Sequence, residues 1–128
     1  MDLSRWYLRL SVIYIVLGVT LGNVMGASGD HSLHAVHAHI NLLGWVGMSI
    51  FAFFYRAFPA AAAGKLAKVQ FWIYVPGTVV QMVTLTLLIR GNAEMEKILG
   101  PMSMLVGVAF LLFAIQVWQH TGRENAAA

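Results

Sequence analysis

The sequence predicts an all-α integral membrane protein, a four-helix bundle. Three observations predict it: an apolar composition, four long hydrophobic windows, and short polar breaks between them. Of 128 residues, 59% are hydrophobic and only 10% charged, and the mean hydropathy is +0.74. A soluble domain carries about 25% charged residues, so this chain cannot cover a water-facing surface and its solvent is lipid. The length suits a single transmembrane domain, residues 1–128. The formal net charge of +3 comes from basic residues scattered over segment ends, not gathered on one face, so no nucleic-acid partner is expected. Cysteine is absent, which excludes disulfides, thiolate metal sites and covalent attachment through Cys-x-x-Cys-His.

Crossing the hydrocarbon takes about 20 mainly apolar residues in a helix. The first window runs from about Tyr7 to Met25. It is longer than the apolar part of a signal peptide and holds Arg9, so a retained helix is expected. Gly18, Gly22 and Gly26 recur every fourth residue, with Ser11 and Tyr14 continuing the same stripe, and such small faces let another surface approach closely. The second window, about His34 to Phe58, follows Gly26-Ala-Ser-Gly-Asp30. The third, about Val69 to Ile89, follows a break from Pro59 to Lys68 with its alanine run. Pro76-Gly77 should kink it, and Thr78, Gln81 and Thr84 give it a mildly polar lining suited to hydrogen bonds between helices. The fourth, about Leu99 to Trp118, follows Arg90 to Lys97, with Gly100-Pro101 read as its start. No Asp or Glu falls inside a span, which argues against a proton-coupled transporter.

Lys and Arg near the ends set the orientation. With the N-terminus cytoplasmic, that side holds Arg5, Arg9, Arg56, Lys65, Lys68 and Arg123. The outer side holds Arg90 and Lys97, offset by Asp30, Glu94 and Glu96. Both termini are therefore expected inside and the histidines outside, in a multi-pass protein whose first partner is the lipid bilayer.

Four of the five histidines, His31, His34, His37 and His39, fall within nine residues at the start of the second span. Ionisable groups at membrane depth are costly and mark functional positions. His39 lies about 7 Å deeper than His34 at the helical rise. At about 100° per residue, His37 and Asn41 share a face with His34 beside them, while His39 points the other way. Imidazole is the commonest nitrogen ligand for metals and an axial ligand for haem iron. The deep pair His37 and His39 is therefore the candidate ligand set, with His34 next. His31 and His120 read as interfacial residues bonded to carbonyls.

The string from His39 to Leu43, His-Ile-Asn-Leu-Leu, resembles the start of the second helix in the catalytic subunit of haem-copper oxidases, especially the nitric oxide reductase branch. There this motif supplies an axial ligand of a low-spin haem b near the outer surface. Phe53 to Pro59 is similar to that helix's aromatic exit, and His37 to Trp45 resembles short bacterial membrane proteins described as oxidase subunit I-like. The resemblance covers about 25 residues around the second span. It implies a bacterial inner-membrane location, haem b as cofactor, His39 as a ligand and His37 as a second candidate. The copper-site histidines and the late-helix histidine pair of those oxidases have no counterpart here, so oxygen or nitric oxide reduction is not carried over.

On this reading the chain is a small membrane b-type cytochrome for electron transfer or diatomic gas binding, related to oxidoreductases, with its haem near the outer surface. Met25, Met102 and Met104 are candidates for a second axial position, with His34 or His37 of the same or a neighbouring subunit as alternatives. Gly22 on the small-residue stripe would let a flat porphyrin, or another helix, approach. Because His37 and His39 face opposite ways, they cannot ligate one iron. Two haems, or one shared in a homo-oligomer with a redox partner at the outer face, are then expected. A second reading is a copper- or zinc-binding protein for metal handling or oxidase assembly, in which His31, His34 and His37 meet Met25, Met95 or Met102. A third is a structural oxidase-like subunit.

Overall fold

The computed structural model describes the backbone of residues 1–124 and the side chains of residues 1–122; Arg123, counted above among the inner charges, has its side chain outside that range. The described residues contain no strand, and four helices are long and apolar enough to cross a membrane.

The first helix, Leu3–Ser28, is longer than its apolar window because its ends are capped. The Asp2 carboxylate accepts the Arg5 backbone N–H at 3.1 Å, and the Gly29 N–H closes the other end on the Met25 carbonyl at 3.0 Å. Gly29 has φ 71°, the left-handed conformation that terminates helices at glycine. Its buried face, Leu3, Tyr7, Ser11, Tyr14, Gly18 and Met25, recurs at helical spacing.

The second helix, His34–Ala57, is not regular: residues Ile40–Gly47 form a π-helix. It stops at Phe58 because a residue preceding proline disfavours helical geometry. Pro59 then opens a short helical turn, Pro59–Ala63, from its first position. Gly64, extended at φ −71° and ψ 157°, is the actual break, so the third helix, Lys65–Ile89, starts at Lys65 and not at Val69. Pro76 lies inside it, and Gly91 (φ 104°) follows its end.

The fourth helix, Glu96–Glu124, corrects the reading of Gly100-Pro101 as its start. It begins a turn earlier, after a 3₁₀ turn over Ala93–Met95. Glu96 occupies the positive N-terminal end, and Lys97 pairs with Glu94 at 2.6 Å. Pro101 leaves the Lys97 carbonyl without its helical donor, which the water-facing first turn tolerates.

The first and second helices form one antiparallel pair, the third and fourth another. Their common core is aromatic and sits in the half of the bundle that carries the termini. Phe51 is its centre, with ring centroids 5.3 Å from Tyr7, 4.8 Å from Tyr74 and 4.5 Å from Phe113. The second helix is the most enclosed, with 39% of its apolar window buried, against 11% for the fourth. The histidine-bearing helix is thus central, and the fourth is a peripheral helix with most of its surface turned outward.

Candidate functional site

The histidines gather at the end of the bundle opposite the termini. His37 faces the first helix. Its Nδ1 lies 2.9 Å from the Gly18 carbonyl, which can only accept, so Nδ1 carries the proton. Nε2 then accepts from the Asn41 carboxamide nitrogen at 3.3 Å, one turn along, as the shared face requires. Gly18 and Gly22 make this contact possible. A side chain at Gly18 would strike the Asn41 carboxamide, and a Cβ at Gly22 would stand 2.9 Å from His37 Cε1. The space left by Gly22 is therefore filled by the chain's own imidazole. Asn41 Oδ1 is buried with no hydrogen-bond partner.

His39 is half-buried and makes no contact of this kind. Its Nδ1 donates to the Ala35 carbonyl of its own helix at 2.7 Å, which fixes the tautomer and leaves Nε2 with a free lone pair and no partner. His34 is exposed, with Nδ1 3.0 Å from the His31 carbonyl, and His31 bonds the Gly29 carbonyl at 3.1 Å. His120, at the far end, bonds the Gln116 carbonyl at 2.9 Å. The structure thus brings His37, Asn41 and Gly22 together and leaves His34 and His39 apart from them. Among the described residues, no group of three His, Cys, Asp or Glu is placed to hold a metal ion.

The candidate methionines also separate. Met104 is 76% exposed on the fourth helix and faces out of the bundle, so it is not placed to ligate an iron held within the chain. Met25 is buried, and Met102 lines a cleft between the third and fourth helices with Trp72, Pro76 and Leu105. Five clefts on the surface measure 220–400 Å³, and none of these five is lined by a histidine.

Two features, one next to the site and one at the opposite end, had no reading from sequence. The π-helix widens the second helix just below His39, a distortion that recurs at functional positions. Gly44 there receives the Tyr14 ring, and the Leu43 carbonyl accepts the Tyr74 hydroxyl at 2.9 Å. Tyr14 in turn donates to Thr78 at 3.3 Å, since the Thr78 hydroxyl is committed to the Val75 carbonyl at 2.9 Å. Gln81 bonds Ser103 across helices at 3.1 Å, as its lining position implied.

The second feature is a buried polar network at the terminal end. Gln70 Oε1 accepts from Tyr7 at 2.7 Å and from Tyr55 at 3.0 Å, and Gln116 Nε2 donates to the Tyr55 hydroxyl at 2.9 Å. Gln70 and Gln116, amides inside apolar windows, were the signal available for it.

On the water-facing side, Asp30 accepts the Ser32 N–H at 3.0 Å, and this bond holds its carboxyl below the usual range. Comparison with known proteins adds no relative: no family model, no curated protein and no solved structure matches the chain.

Proposed function

We propose that the chain is a small membrane b-type cytochrome, with both termini cytoplasmic in a bacterial inner membrane and His39 supplying an axial ligand to haem b near the outer surface. The observation that carries this is the state of His39. Ligating histidines anchor one ring nitrogen on a carbonyl or carboxylate and present the other, and His39 does this through Ala35. Haem, when bound, supplies a one-electron carrier or an iron that takes up a diatomic gas.

The remaining residues divide by fit. His37 has both nitrogens engaged, by Gly18 and Asn41, so its role is to hold the first helix against the second. Met104 faces outward, and His39 lines none of the five clefts described above. On this reading the second ligand and the cover over the macrocycle come from a second copy of the chain. Copper handling lacks a gathered ligand set: among the described residues no three His, Cys, Asp or Glu side chains stand together. The orientation rests on Arg5, Arg9, Arg56, Lys65 and Lys68 at the terminal end, against Arg90 and Lys97 at the other.

The test is the reduced-minus-oxidised visible spectrum of the detergent-purified protein, with the haem-to-chain ratio. Sharp b-type bands at one haem per two chains, abolished in His39→Ala and kept in His37→Ala, are expected. A colourless preparation after expression with adequate haem, or bands that survive His39→Ala, would overturn the assignment.

A further inference from the structure

Between the first and third helices, at the terminal end and away from the histidines, runs a cleft of about 280 Å³ lined by Trp6, Leu10, Phe71, Trp72 and Val75. It opens onto the face that meets lipid: Trp72 is 64% and Trp6 45% exposed. At 1.5 Å per residue, Leu10 and Val75 lie about 10–15 Å inward from Leu3 and Lys65, the first residues of their helices. The cleft therefore reaches from the headgroup level well into the acyl region. Trp6 stands nearest the surface, Leu10 and Trp72 at middle depth, and Val75 deepest.

Cations stand over its mouth. Lys65, Lys68 and Trp72 share one face of the third helix by their spacing of three and four, and both lysines are exposed. On the first helix the Arg9 guanidinium lies 5.7 Å from the centroid of the Trp6 ring. Stacked there, it keeps its N–H donors for an acceptor beyond the ring. Among the described side chains the acid at this end is Asp2, and Arg5 holds it at 3.1 Å. Asp30, Glu94 and Glu96 lie at the opposite end. An apolar slot of acyl length beneath uncompensated positive charge is complementary to one kind of molecule in its surroundings.

We propose that this cleft binds an anionic phospholipid, with one acyl chain between Trp6, Leu10, Trp72 and Val75 and the phosphate at Arg9, Lys65 and Lys68. A zwitterionic lipid fits the slot equally but carries its own cation to the same positive mouth, so net charge on the headgroup decides the preference. Each basic side chain near the surface favours an anionic lipid by about fivefold.

The two tryptophans report the occupant. In protein carrying Trp45→Phe and Trp118→Phe, only Trp6 and Trp72 remain fluorescent. This protein, in phosphatidylcholine vesicles, is titrated with phosphatidylglycerol or phosphatidylcholine bearing brominated acyl chains, whose bromines quench tryptophan on contact. The brominated phosphatidylglycerol should quench at a mole fraction lower by an order of magnitude or more, about fivefold for each basic group engaged. Arg9→Gln with Lys65→Gln and Lys68→Gln, checked for helicity by circular dichroism, should bring the two lipids together. Molar salt on the unsubstituted lysines should do the same without any change to the fold. Equal quenching by both lipids, or a phosphatidylglycerol preference that survives both charge removal and salt, would overturn the proposal.

Discussion

Gly18 and Gly22 show how little space separates the first two helices at the histidine end. A methyl group at Gly18 would occupy the position of the Asn41 carboxamide, which is already buried with Oδ1 unpartnered. Gly18→Ala is therefore expected to destabilise the folded protein by about 1–3 kcal/mol, the cost of overpacking a closed contact. Unfolding in detergent, followed by circular dichroism, measures it. His37 was legible as a polar residue needing a partner, and its spacing to Asn41 identified one. The other partner, the Gly18 carbonyl, was not legible, because a backbone acceptor on another helix leaves no mark in residue type. Gly22 was legible as a close-approach position, while what approaches it was decided by the register between two helices.

At the scale of the element, helix ends were harder to read than helix existence. Asp2, Gly29 and Glu96 each extend a helix beyond its apolar window, since caps and end charges act on backbone groups that hydropathy does not weigh. The turn between the first and second helices depends on a charge in the same way. Asp30 accepts the Ser32 N–H, so its carboxyl titrates lower in the folded protein than in the unfolded chain. A depressed acid stabilises above the unfolded pKa, and that contribution fades as pH falls through the folded value. The Ser32 amide resonance should accordingly titrate below the ordinary aspartate range. Asp30→Asn should remove the transition and leave the four spans intact. The π-helix over Ile40–Gly47 had no local signature; in the fold it is the segment that Tyr14 and Tyr74 contact, at Gly44 and at the Leu43 carbonyl.

For the molecule as a whole, Gln70 and Tyr55 each join three helices. Tyr7 of the first helix and Tyr55 of the second both donate to Gln70 of the third, and Gln116 of the fourth closes onto Tyr55. Gln70→Leu keeps the volume but leaves two buried hydroxyls without an acceptor, each costing about 1–3 kcal/mol. The variant should unfold at markedly lower denaturant, and Tyr7→Phe should recover part of the loss, a coupling that a double-mutant cycle reads. Additive losses would mean that the three groups do not act as one network.

The sequence by itself determined that this chain forms four helices long and apolar enough to cross a membrane and concentrates imidazoles at one end, because hydropathy, length and charge are sums over neighbours along the chain. Only the tertiary structure decided which imidazole is spent on packing and which keeps a free nitrogen. His37 and His39 are alike in composition and nearly alike in depth; they differ in which backbone carbonyl each one reaches. That depends on the pairing of the first and second helices, through glycines whose importance lies in the side chains they admit.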